Sequence, residues 1–574
     1  MPGSRQHLAA IVVRDRSRSP SRDDKLQYGP ELTQWLEDYA WGKAKACDVV
    51  RNAANKVKGG SRDKRIIRIG HCASSIGNAQ RMVESLIPLH LCPPMTRVAG
   101  DSSIQYIFNP FEMFHWLRRT NMLKFRTSMG ARPDGLEAWW QGLLDRPVVG
   151  RRYWNANPLL RGKTPADLRY HVPLVMFDDA GPCSKTNSTY ARQWYSIVGK
   201  GSDLDSRFLM ATGIKCDTRD HSWPELYAAF EKLAGPVEDR EWGAVALFFG
   251  ADLEYAGNDL GLASTSAAEI CTFCGANTTD VPFNDLSRGA HWRGRVKDNA
   301  EFVACIRPRH DDGSLHHLAT KGWISKWTYR LCLMHVFDHN GVSGSIAANV
   351  FDTLLKTVGG VVPGATIQDR LDLLNAERLA YYMTNHVEHR MAPLKLTNIV
   401  LPSEFPELHG HFVKAANTRA LMPLVLSLCD RHLARFQTDE AKHMQKVTAA
   451  VCGLYDVLYS SGCFLEVNNL REVEKCCKKS CEHYQCLAVS TMHTGIRRWK
   501  MPIKVHYACG HIPEQCKLLN PIYAQGYRSE SMVGKVTAIY KSLQDGQFAE
   551  HIQRKAGEKY CLGLLIGWSR ESIE

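Results

Sequence analysis

The stretch Glu241–Arg293 constrains the fold most. Its apolar run, Ala244 to Phe249, reads as a buried strand closed by Gly250. That strand delivers Asp252 and Glu254 to its C-terminal edge, where ligand sites of α/β sheets form. About twenty residues on comes Cys271-x-x-Cys274, a spacing that lets two thiolates share one tetrahedral zinc. Upstream, His171–Phe177 is a second apolar strand, ending in Asp178-Asp179 before the turn residues Ala180-Gly181-Pro182. Two strands that each end in carboxylate predict a site built across neighbouring strand ends.

A chain of 574 residues is long enough for several domains with a large core. The 72 Lys and Arg against 59 Asp and Glu leave +13, a mild bias toward polyanions. Residues 1–68 hold +7 of it, with 15 basic and 8 acidic side chains. Within them Arg14–Arg22 is basic, serine-rich and devoid of apolar residues. It predicts a disordered tail suited to nuclear import or nucleic-acid contact, or a solvated leader. There is no secretory pattern and no apolar window long enough for a membrane span, so an intracellular protein with no membrane partner is expected. In a reducing compartment the 19 cysteines are then core thiols or metal ligands rather than bridges.

In chain order, residues 1–30 form the basic tail and 31–160 an N-terminal helical region. Helices are predicted from about 32 to 57, from a cap at Ser74 or Ser75 to Leu86, and over 110–124 and 134–144. Strands follow at 171–177, 192–198 and 207–214, the last two joined by the turn Gly199–Asp203. A helix opens at the capping box Ser222-Trp-Pro-Glu225, and the strand ending at Asp252 comes next. From 341 to 498 only helical periodicity is found, near 345–357, 366–385, 412–430, 439–459 and 468–490. Residues 499–574 close the chain, with a helix from about Tyr527 to Leu543.

Four segments together resemble DDE-type cut-and-paste DNA transposases. They are the strand ending in Asp179, GADLEYAGNDLGL followed by CTFC, LCLMHVFDHNGVSG, and KVHYACGH with NPIYAQGYRSESMVGK. The likeness is nearest to transposase-derived proteins of multi-copy protist families, and more distant to the hAT and CACTA-like groups. The resemblance implies a mixed α/β fold. Residues 165–340 would begin an RNase H-like core, a mixed five-stranded sheet with flanking helices and a CxxC knuckle. An all-helical insertion at 341–498 would interrupt that core, and 499–574 would complete it. It implies Asp179, Asp252 and Glu530 as catalytic ligands of two magnesium (or manganese) ions, the first pair 73 positions apart and the second 278. DNA as partner, a homo-oligomer and a nuclear location are implied with it.

Three carboxylates holding two magnesium ions can activate an oxygen nucleophile and relieve charge on the leaving oxygen of a phosphodiester. Asp178 competes with Asp179, because neighbours on a strand point to opposite faces. Glu254 competes with Asp252, whose plainer role is to cap a helix, and Glu530 suits any helix start. For a structural zinc at Cys271 and Cys274, His335 and His339 are the expected partners, being four apart on a presumed helix. Cys332 with His335 is the alternative. The row Cys476, Cys477, Cys481, His483, Cys486 spreads over several faces of one helix, which argues against a metal there. A derivative that binds DNA or a chromatin partner without cutting is the second functional reading. An unrelated zinc-containing helical scaffold is the third.

Overall fold

The computed structural model describes residues 11–12 and 28–570, except 73–75, 100–103, 185–186, 215–241, 259, 265–266, 309–314, 316–318, 320–321, 357–361, 400–404, 409–412, 434–437, 494–497 and 544–548. The basic tail at 14–22, the caps at Ser74 and Ser75 and the helix predicted from Ser222 lie outside the described residues. The fold is mixed α/β. The chain divides into two compact units. The first comprises 1–140, 163–248 and 528–574, the second 141–162 and 249–527.

The first unit opens with α1 (Pro30–Ala40), α2 (Ala46–Lys58), α3 (Lys64–Gly70) and α4 (Ile76–Glu84). The single helix expected at 32–57 is broken in two at Gly42, which has a φ of +71°. A Cβ there would lie 2.4 Å from the Ala538 carbonyl oxygen, so only glycine fits both the turn and the close approach. The strands are β1 (Ile11–Val12), β2 (Thr96–Ala99), β3 (Ile104–Ile107), β4 (His171–Pro182), β5 (Ser188–Ser196), β6 (Phe208–Ile214), β7 (Gly243–Ala251) and β8 (Tyr329–Leu331). They form one mixed sheet in the order β1-β2-β3-β6-β5-β4-β7-β8. The N-terminal region is therefore not wholly helical, since β1 to β3 extend the sheet.

β4 and β5 are an antiparallel hairpin from Leu174↔Ser196 to Pro182↔Ser188, and β6 pairs antiparallel with β5. β4 does not stop at its acids as the sequence predicts. Ala180, Gly181 and Pro182 continue it because Tyr190, Thr189 and Ser188 supply ladder partners. The expected turn became strand. The Gly243 N–H donates to the Tyr170 carbonyl at 2.9 Å, so β7 begins level with β4. The helix Tyr527–Ser542 lies against the hairpin. A Cβ on Gly181 would come within 2.9 Å of Val533 and Thr537, and Gln193 Nε2 donates to the Ser529 carbonyl at 3.1 Å.

In the second unit the last three residues of β7 pair parallel with β8. Gln515 covers the free edge of β8, its Oε1 accepting from the Leu331 N–H and its Nε2 donating to the Tyr329 carbonyl. That satisfies backbone groups an edge strand would otherwise expose. The helical block predicted here is present as Val342–Lys356, Ile367–Thr384, Ala415–His432, Asp439–Ser460 and Val467–His493. No helix among the described residues is long and apolar enough to cross a membrane.

Candidate metal centre and carboxylates

Cys271 and Cys274 sit in a knuckle whose backbone is tied to one neighbouring segment. Gly275 N–H donates to the Arg295 carbonyl at 2.9 Å and Lys297 N–H to the Phe273 carbonyl at 3.0 Å. Facing the thiols are His506 and His511, and all four residues are buried. Cys271 Sγ lies 3.3 Å from His511 Nε2, Cys274 Sγ 3.4 Å from His506 Nε2, and the two Nε2 atoms are 3.2 Å apart. With Zn–S near 2.3 Å and Zn–N near 2.0–2.1 Å, a tetrahedral ion separates N from N by roughly 3.3 Å and S from N by roughly 3.5–3.6 Å. Two thiols and two imidazoles at these spacings can hold a metal such as zinc.

The surroundings fix the ligands. His506 Nδ1 lies 3.1 Å from the Phe283 carbonyl, which holds the ring proton there and leaves Nε2 as the donor. Phe273 lies 5.1 Å from the His511 ring and Trp292 4.5 Å from that of His506, excluding water from both. Burial pushes the Cys271 thiol up, while its hydrogen bond holds Cys274 well below the usual thiol range. Burial also lowers His511, so its ring is neutral and can ligate.

His506 and His511 are five apart, about 140° around a regular helix, which would point them in different directions. The chain solves this with a π-helical turn, Tyr507–His511, between the helical turns Ile503–His506 and Ile512–Cys516. Pro513 explains the break in pattern, since it has no N–H to donate back along the helix. The sequence signal was therefore H-x4-H followed by Pro513.

His335 and His339, the expected zinc partners, are not in this group. The helix carrying them, Leu333–Phe337, is only five residues long and ends before His339, so the assumed helical spacing does not apply. Their rings stand 5.4 Å apart. His335 instead brings a ring nitrogen within 4.8 Å of an Asp252 carboxylate oxygen. It is buried, its Nδ1 has no hydrogen-bond partner among the described residues, and burial takes its pKa well below the ordinary imidazole value. Cys332 Sγ accepts from the Gly526 N–H at 3.1 Å. In the cysteine row, His483 faces His443 at 3.0 Å while Cys476, Cys477 and Cys481 are buried. These residues form no group of three ligands among the described residues.

The acids are placed as follows. Asp178 is paired with Arg192 Nε at 2.9 Å, both side chains being buried. Asp179 points to the opposite face and is 8 % exposed, with one oxygen accepting from the Ala180 N–H at 2.8 Å. This is the face of Gly181, two residues on, and so the face the helix Tyr527–Ser542 covers. Glu530, half-buried, stands in the first turn of that helix. Asp252 follows β7 and caps the helix Leu253–Asn258, its Oδ1 accepting from the Tyr255 N–H at 2.6 Å. Glu254, its rival, is exposed.

No protein-family model matches the chain, and no curated protein matches its sequence.

Proposed function

We propose that this protein is a transposase-like, DNA-processing enzyme with an RNase H-like core, cleaving and transferring phosphodiester strands through Asp179, Asp252 and Glu530. The observation that carries the reading is the strand order β6-β5-β4-β7-β8 together with the positions of the acids on it. Three antiparallel strands are followed by β7 and its parallel neighbour β8. The first acid rides on the first strand of this set and the second follows the fourth. The third lies on a helix beyond the helical block and against the Asp179 face. β4 and β7 start level within the first unit, and the two acids follow eight and nine residues after those starts.

The three carboxylates are hard oxygen donors suited to magnesium or manganese, which would supply an activated nucleophile and charge relief at the leaving oxygen. The chain's own part is to fix those donors. Asp179 is held by its strand and its bond from Ala180, Asp252 by its capping bond, and Glu530 by the helix packed on Gly181 and Gln193. Arg192 withdraws Asp178 to the other face. His335 places a buried ring nitrogen beside Asp252. The Cys271, Cys274, His506, His511 group is assigned to structural zinc, because four protein ligands leave no open position for substrate.

The test is nicking of supercoiled DNA in magnesium or manganese by wild type, Asp179→Asn and Asp252→Asn, with zinc content and circular dichroism as folding controls. Activity in wild type and background levels in both folded variants are expected. A wild type that binds DNA and never cuts it would replace this reading with that of a DNA-binding derivative.

A further inference from the structure

The N-terminal helices of the first unit carry a charge distribution that the carboxylate site does not use. Between residues 43 and 71 there are nine Lys and Arg, all exposed, and only two acids, Asp48 and Asp63. Both acids are committed: Asp48 pairs with Arg51 at 2.9 Å, and Asp63 caps α3 by accepting from Arg65 N–H and Ile66 N–H. Lys43 and Lys56 pair with Asp38 and Glu31, and Arg65 lies over the Tyr28 ring. Five cations, Lys45, Lys58, Arg62, Lys64 and Arg68, remain without an ion pair among the described residues. Three of them, Lys58, Arg62 and Lys64, flank the α2–α3 turn, and Arg68 follows one helical turn along α3.

The fold holds them outward. α3 turns back on α2, with Gly70 so near Ala53 and Val57 that a Cβ there would meet them at 2.9–3.0 Å. Val49, Val50 and Ala53 of α2 and Ile66 and Ile69 of α3 are buried, which leaves the basic positions on the outer face. At the turn itself Gly60, with a φ of +85°, has nothing among the described residues within 4 Å of where a Cβ would stand, so a ligand backbone can approach the chain closely. Self-repulsion among these cations is tolerated in the free protein and relieved by a polyanion.

We propose that this turn docks the phosphate backbone of duplex DNA. The proposal rests on the reading of the protein as a DNA-processing enzyme and adds where the duplex is gripped. Charge complementarity selects the occupant. A membrane surface fits less well, because none of the exposed large apolar side chains falls between residues 43 and 71, leaving nothing to enter a bilayer. Contacts of this kind position DNA without reading its sequence, so affinity should be insensitive to sequence and steep in salt.

The experiment is fluorescence anisotropy of full-length protein on labelled duplex DNA over a salt series. Wild type is compared with the variant Lys58→Ala/Arg62→Ala/Lys64→Ala/Arg68→Ala. All four positions are exposed, so circular dichroism and melting should be unchanged. Affinity is expected to fall at least about tenfold, and the slope of log K on log salt to shrink by roughly 3–4, from about 0.9 per lost phosphate contact. Unchanged affinity and slope would overturn the proposal. So would a wild type that binds phosphatidylserine vesicles and not DNA. Nicking read in parallel separates the two claims. Binding through the patch without nicking removes the catalytic reading alone, whereas nicking with an unaffected quadruple variant removes the docking surface alone.

Discussion

Strand alternation sends Asp178 and Asp179 to opposite faces of β4, and the two substitutions should therefore fail in different ways. Asp178→Asn leaves the buried Arg192 guanidinium without its counter-charge, which should cost on the order of 3 kcal/mol in chemical denaturation. Asp179→Asn keeps an acceptor for the Ala180 N–H, so it should leave stability nearly intact and remove nicking. The metal ligands are separable in the same way. Cys271→Ser and His511→Ala should lower bound zinc from one equivalent to near none. His335→Ala and His339→Ala should keep it, as measured by metal analysis after gel filtration. Retained zinc in His511→Ala would return the choice to the histidines of the 335–339 segment.

At the scale of elements, the π-helical turn depends on what packs against it. A Cβ on Gly510 would come 2.6 Å from the Trp292 ring, and Trp292 itself rests on His506. Gly510→Ala should thus destabilise by about 1–3 kcal/mol, as overpacking does, and speed zinc release to a chromogenic chelator. A second element hides a titration. Lys559, on the helix Ala549–Ser569, is 2 % exposed, donates to Ser542 Oγ at 2.7 Å and lies 4.1 Å over the Tyr39 ring. Burial pushes it down to about 7. Its folded pKa lies below its unfolded one, so between the two the unfolded chain binds the extra proton. Stability should then rise with pH from about 7 to about 10, by up to a few kcal/mol. Lys559→Met should flatten that rise and stabilise the protein at pH 7, as read from melts across pH.

Legibility followed the reach of each interaction. The buried strands at 171, 207 and 243 and the five helices of 342–493 were readable, because local periodicity decides them. Gly42 is shaped by Ala538, several hundred positions away, so the break in the first helix was not, and the extension of β4 came from pairing with Ser188–Tyr190 across a segment that turn residues suggested would end it. The cysteine half of the candidate metal group showed in its spacing. Its histidine half did not, because helical reasoning favours a separation of four and the chain uses five across a π-turn.

For the whole molecule, a metal held by the Cys271, Cys274, His506 and His511 group would cross-link distant parts of the chain. Cys274 and His506 are 232 residues apart, and nearly all of the helical block lies between them. In the loop-entropy model, closing a loop of that length removes about 5 kcal/mol of freedom from the unfolded chain, provided the ion stays bound only in the folded state. All four ligands belong to the second unit. Chelation should therefore act unevenly: hydrogen exchange should quicken in peptides of 249–527, with those around 271–276 and 503–516 first. Peptides of β4 to β6 should keep their protection. Melting monitored by calorimetry should split, with a chelator-sensitive transition moving to lower temperature and a second one staying in place. A uniform loss of protection across both units would show that the metal stabilises the chain as one cooperative block. The independence of the β4–β6 sheet from the centre would then have to be abandoned.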